Sequence, residues 1–158
     1  ALLSQAIERF NGFRDNEGVA LSQDITARVP TILNSIPRLE AFEQVRVDNI
    51  RARLDKAISE MRDQANIDRN RFEQELIFYI EKLDISEEKV RLKSHCDYFV
   101  QTRDGPEANG KKLGFITQEI GREINTIGAK ANDAAMQRIV VEMKDELEKL
   151  KEQLANVL

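Results

Sequence analysis

At 158 residues, 41% of them hydrophobic and 33% charged with only 7 Gly and 3 Pro, the chain is long enough to bury a core and is neither disordered nor fibrous. No apolar run approaches the length of a membrane span, and the single Cys96 excludes an internal disulfide, so a reducing, cytoplasmic location is the expectation. The net charge of −4 has the wrong sign for binding nucleic acid over a whole surface; any RNA contact must use a local group of Lys and Arg.

Nearly every stretch carries helical periodicity. Leu3, Ile7, Phe10 and Phe13 start a stripe that resumes at Leu21 and Ile25 after an interruption at Glu17 and Gly18. Pro30 and Pro37 bracket a break, because proline removes an internal hydrogen bond. A second helix from Arg38 places Leu39, Phe42, Val47, Ile50, Leu54, Ile58 and Met61 inward. A third, from about Asp68, does the same with Phe72, Leu76, Tyr79, Ile80 and Leu83. Ser86 is expected to cap a fourth helix, with Glu87 and Glu88 in its first turn and Leu92, Cys96 and Phe99 inside. Residues 103–110, with Gly105, Pro106 and Gly110, mark the clearest loop and a break in the chain. Leu113, Ile116, Ile120, Ile124 and Ile127 then define a fifth helix, with Gly128 as its expected terminator. In the last helix Met136, Val140, Met143, Leu147, Leu150, Leu154 and Val157 alternate by four and three, a coiled-coil seam that can pair within the chain or with another copy. The fold expected is all-α, a bundle of five to six helices with long antiparallel or coiled-coil members.

Three polar groups stand out from a solvated background. On the fifth helix Glu119 and Glu123 lie one turn apart on one face, as do Gln118 and Arg122, while Lys111 and Lys112 stand at the start, where free N–H groups favour anions. Two carboxylates at that spacing can share a divalent cation or divide acid and base roles, and the Arg122 fork suits a phosphate. A surface ladder of Arg and Glu has the same spacing, so that reading stays open. On the fourth helix Glu88, Arg91 and His95 stack along one face near Asp84 and Glu87. His95, the lone histidine, can exchange a proton with a ribose 2′-hydroxyl or water, ligate a metal, or merely hydrogen-bond Glu88. The third group, Arg14, Glu17, Arg28 and Arg71, reads as structural ion pairing, with Glu17 needing a partner if buried. Phosphate-loop, zinc, serine-elbow and HExxH patterns are absent, so any catalysis is carboxylate-centred.

These groups carry a resemblance to the YicC-like endoribonucleases. Gly110, Lys111, Lys112, Leu113, Phe115, Gln118, Glu119, Arg122, Glu123, Asn125, Thr126 and Lys130 match one ordered motif of that family. Asp84, Ser86, Glu87, Glu88, Arg91, Leu92, Ser94 and His95 match a second, and Arg14, Glu17, Gly18 and Leu21 a third. The closing stretch 142–156 is also similar, so the resemblance covers essentially the whole chain. The sequence departs from it at Gly114, Gly121 and Ala129, where many members have Asp, Asn and Ser.

The resemblance implies that the chain is the helical C-terminal part of a stress-linked bacterial endoribonuclease whose N-terminal domain precedes it. It implies hydrolysis of RNA with a divalent metal, Mn²⁺ or Mg²⁺, and a homo-oligomer, hexameric in the intact protein. On that reading Glu119 and Glu123, with Glu88 or His95, hold the ion or move protons, and Arg122, Lys111, Lys112, Arg91, Lys130 and Gln118 bind RNA. The chain alone is then expected to be inactive or weak. The competing reading is a non-catalytic helical oligomerisation or RNA-decay adaptor module that depends on the N-terminal domain for activity. The acidic balance fits it equally well.

Overall fold

The computed structural model describes the backbone of residues 2–61, 69–105 and 110–157, and within those spans the side chains of all but residues 2, 4, 6, 13–22, 44, 58, 61, 69 and 157. The described residues form six helices and no strand: α1 Leu2–Leu33, α2 Ser35–Met61, α3 Arg69–Leu83, α4 Ser86–Asp104, α5 Gly110–Lys130 and α6 Ala134–Val157. The all-α expectation therefore holds. Among these residues no helix is long and apolar enough to cross a membrane.

The two prolines act as their positions require. Pro30 sits in the last turn of α1 and its carbonyl accepts from the Asn34 N–H at 2.8 Å. Pro37 is the third residue of α2, where a backbone N–H has no helical partner to lose. The break between them is confined to Asn34.

The start of α4 differs from the sequence reading. Ser86 does not cap α4; it is the first helical residue, Ile85 holds the N-cap position without a side-chain cap, and Asp84 just before it serves the helix start instead, its Oδ1 accepting from the Ser86 backbone N–H at 3.0 Å and from its Oγ at 2.7 Å. Those two donors hold the Asp84 carboxyl below the usual carboxylate range, aided more weakly by Lys130 and Lys89. At α6, Asp133 Oδ1 accepts from the N–H groups of Ala135 and Met136.

The core lies where α4, α5, α6 and the second half of α1 meet. Ile32, Leu92, Phe99, Ile120, Ile124, Met136, Met143 and Leu150 are fully enclosed there, and each such side chain contributes roughly 1.5–3 kcal/mol by leaving water. The α6 seam is consumed inside the chain: Met136, Val140, Met143, Leu147, Leu150 and Leu154 all join this core, while the side chain of Val157 lies outside the described residues. Arg28 ties α1 to α6 through Glu146 at 2.9 Å, and Arg38 at the start of α2 reaches Glu142. Partner numbers fall along α6 as they rise along α1 and α2, so α6 runs antiparallel to α1.

Gly128 is also reassigned. Helix α5 continues through it to Lys130, and a Cβ at Gly128 would lie 3.0 Å from Val140 Cγ1 on α6. Gly121, seven residues earlier, would meet Leu147 Cδ2 at 3.1 Å, so these two glycines let α6 approach closely. Gly114, a further seven back, has nothing within 4 Å.

Candidate active site

Helices α4 and α5 are joined through the short segment after Gly105, and each presents a flank of charged residues beside its buried stripe. Their cross-links run in opposite numerical order, which makes the pair antiparallel: Lys130 meets Glu88, Arg91 meets Glu123, and Lys112 meets Tyr98. The helical repeat sets Glu88, Arg91, His95 and Tyr98 on one flank of α4. It sets Lys130, Glu123, Glu119 and Lys112 on the facing flank of α5. The result is a row of ionisable side chains along one seam.

Arg91 is its hub. Its Nε donates to Glu123 Oε2 at 3.1 Å, its Nη2 to Glu88 Oε1 at 3.4 Å, and its Nη1 to Glu87. The bond to Glu123, helped by the negative charges of Glu87 and Glu88, raises the Arg91 guanidinium above its ordinary value, so it is a permanent cation. Lys130 Nζ reaches Glu88 Oε1 and the carbonyl of Asp84, both at 2.8 Å. Glu88 has a side chain only 4% exposed, and its second oxygen, Oε2, is buried with no hydrogen-bond partner. Burying a carboxylate is costly unless cations face it, and here two do. The Glu123 side chain, 11% exposed, stands in the same position with Arg91.

Each sequence-level candidate can now be placed. Glu88, Glu123, Arg91 and Lys130 are brought together in one network. His95 is half-buried one turn beyond Arg91, and Glu88 turns to Lys130 and Arg91, so a simple Glu88–His95 hydrogen bond is not what holds the histidine. Glu119 shares the flank of Glu123 but not its partners. It pairs with Arg122 at 2.9 Å, with side chains 40% and 72% exposed, which is the surface ladder weighed as the alternative for that spacing. Lys112 lies 5.0 Å from the centre of the Tyr98 ring. Lys111 and Gln118 are exposed and fall on the far side of α5 from its buried stripe, away from the row. Gly114 falls on the flank facing α6, as Gly121 and Gly128 do, so the carboxylate missing there does not belong to the row.

In the third group Arg28 is indeed an ion-pairing residue, bound to Asp24 at 2.8 Å as well as to Glu146. Arg14 and Glu17 belong to α1, but their side chains, and with them the expected pairing of Glu17, lie outside the described residues. Arg71 is exposed on α3.

Sequence reasoning missed Arg46. Buried at 7% exposure, it donates Nη2 to the Leu83 carbonyl at 2.8 Å and Nη1 to the Lys130 carbonyl at 3.2 Å, capping the C-termini of α3 and α5 together. Its Nε is buried without a partner. Because Lys130 is the residue it caps, Arg46 sets the end of the row. The only signal in the sequence is a charge at an inward helical position of α2. Cys96 is enclosed in the core, and burial pushes its thiol up to about 12, so it is neither nucleophile nor ligand.

Among the described residues no three of His, Cys, Asp and Glu converge as a metal-holding group. Glu123 is already satisfied by Arg91, whereas the exposed Glu119–Arg122 pair can open.

The described residues thus define an all-α bundle whose α4–α5 seam carries a carboxylate–guanidinium row. Residues 39–158 match the family described as "Endoribonuclease YicC-like, C-terminal". The chain belongs to the YicC-like endoribonuclease family. It is 38% identical, over 99% of its length, to a protein named probable endoribonuclease YicC from Clostridioides difficile (strain 630). A protein of the same name from Haemophilus influenzae is 30% identical over 87% of the chain. The alignments cover 55% and 56% of those proteins, so the chain spans about half the length of the relatives it matches.

Proposed function

We propose that the chain is the RNA-handling C-terminal module of a larger cytoplasmic endoribonuclease, and that the α4–α5 row is where the phosphodiester is held and cut. The observation carrying this is the Lys130–Glu88–Arg91–Glu123 network, in which two nearly enclosed carboxylates fix two cations at the rim of a helix seam. Carboxylates that served solubility alone would not be buried at a desolvation cost of several kcal/mol. Held this way, Arg91 and Lys130 are pre-oriented cations, and part of each remains in solvent to meet a phosphate oxygen.

The division of labour differs from an even sharing of roles among the carboxylates. Glu88 and Glu123 orient the cations. Glu119 and His95 are half-exposed on the facing flanks, and with the surface Glu119–Arg122 pair opened they move the protons: one accepts the proton of the attacking 2′-hydroxyl or water, and the other protonates the departing 5′-oxygen. A Mn²⁺ or Mg²⁺ ion carried with the RNA phosphate would be met by Glu119, with Glu123 behind it, and would neutralise charge on the phosphate. Arg122 and Lys112 extend the phosphate track.

The whole protein carrying Glu119→Gln or His95→Gln should cleave an RNA hairpin at least about 100-fold more slowly with an unchanged melting profile. Wild-type rates in both variants refute the assignment. This chain alone is expected to bind RNA and to cut it weakly or not at all.

A second reading has one observation in its favour. Leu3, Ile7 and Phe10 remain exposed along the first half of α1, as an assembly surface would be. In that reading the chain organises a homo-oligomer and the RNA chemistry lies in the other half of the protein. It requires that Arg91, Glu119 and His95 be dispensable for cleavage.

A further inference from the structure

Tyr98 continues the stripe of Arg91 and His95 at the next helical step on α4, yet it is 45% exposed where an apolar ring on the flank of a packed helix would ordinarily turn inward. The Lys112 ammonium stands 5.0 Å from its ring centre, and Phe115, one turn along α5, is 56% exposed. The chain has no Trp, 2 Tyr and 7 Phe, and Tyr98 and Phe115 are the exposed aromatics on α4 and α5. The ammonium lies over one face of the ring, so the opposite face is the one a nucleobase would use, with the charge set for the adjoining phosphate.

We propose that Tyr98, with Lys112, forms a stacking site for an unpaired nucleotide next to the row, so that the preferred substrate is RNA with a single-stranded segment beside the phosphate held at Arg91. This rests on the reading given under Proposed function and adds the strand state of the substrate. Seven residues separate Tyr98 from Arg91, about 10 Å along the helix axis, which neighbouring nucleotides can bridge. Electrostatics alone is a weak source of affinity here, because Arg91 already faces three carboxylates and the net charge is −4. Stacking supplies attraction that salt does not screen, and it is tolerant of sequence because every base has a π-face. In a duplex the base faces are already stacked on one another and unavailable to a side chain.

The test uses the 158-residue chain and two probes: an unstructured RNA of about ten nucleotides carrying one 2-aminopurine, and a fully paired RNA stem of similar length. Wild type should quench the 2-aminopurine and bind the unpaired probe more tightly than the stem. Tyr98→Ala should lose the quench and bind the unpaired probe about tenfold more weakly, with stem binding unchanged, and Tyr98→Phe should keep both quench and affinity. Because the ring is exposed, the alanine variant keeps the helical circular-dichroism signal. A Tyr98→Ala chain that quenches and binds as wild type overturns the stacking site. If its whole-protein counterpart also cleaves normally while Glu119→Gln does not, the cleavage reading survives and only the stacking site falls. If the wild-type chain binds neither probe, both fall together.

Discussion

In the half of the molecule built by α4, α5, α6 and the end of α1, apolar side chains are enclosed and charges are cross-linked between helices. Along the start of α1 and on α2 and α3 fewer apolar side chains are enclosed: Leu39, Ile50 and Leu76 are buried, but Leu3, Ile7, Phe10, Val45, Ile77 and Phe78 are exposed. The contrast teaches where rigidity is invested. The half that holds the ionic row is the half with a filled core, as expected if the row must keep its geometry.

Mutations can break that comparison. The largest effect should come from Phe99→Ala, which empties a fully buried site and should cost about 3–5 kcal/mol in urea unfolding, against less than about 0.5 kcal/mol for Phe78→Ala on the exposed side. Equal losses at the two sites would show that the described core is not the stabilising one. Next in size is Arg46→Met, which leaves the Leu83 and Lys130 carbonyls without their donor and should cost about 2 kcal/mol by the same measurement.

Smaller and of opposite sign are two glycines on α5. Gly114→Ala should stabilise by about 0.5–1 kcal/mol, since the helix gains propensity and the added methyl meets nothing within 4 Å. Gly128→Ala should destabilise by about 1 kcal/mol, because Val140 is buried, β-branched and 3.0 Å away. Melting temperatures moving in the same direction would contradict the packing of α5 on α6.

Acid supplies the mildest probe. Asp84 has a folded-state pKa below its unfolded one, so its bonds to Ser86 contribute stability that is complete above about pH 4 and fades as pH falls through the lower, folded value. Glu142 and Glu146 are lowered in the same sense, chiefly by hydrogen bonds from Arg38 and Lys149 respectively. Asp84→Ala should therefore cost about 1 kcal/mol at pH 7, and the difference from wild type should close under strongly acidic conditions. A difference that persists unchanged in acid would mean that this contact does not depend on the carboxylate charge.

Much of this was legible before any coordinates. The helix periods and the proline-bracketed break at Asn34 follow from local pattern, as does the composition of the α6 seam; of the expected loop at 103–110, residues 106–109 lie outside the described residues and Arg103, Asp104 and Gly110 are helical. What local pattern does not encode is partner choice. Glu119 and Glu123 look equivalent one turn apart, yet Glu123 is claimed by Arg91 on another helix and Glu119 by its neighbour Arg122. Arg46 binds two carbonyls far apart in sequence, a relation no spacing rule expresses. Ser86 and Gly128 were misjudged for a related reason: each is the residue type expected for the role, but Asp84 serves the helix start in place of Ser86, and α6 needs Gly128 for contact rather than for termination.

The most direct trial of the account is the rate at which the whole protein cleaves an RNA hairpin when Arg91 is replaced by Gln, measured where circular dichroism shows both forms folded. The guanidinium held by Glu123 and Glu88 is predicted to matter by about 100-fold or more, with RNA affinity reduced in parallel. Cleavage and binding at the unmodified protein's level would contradict it.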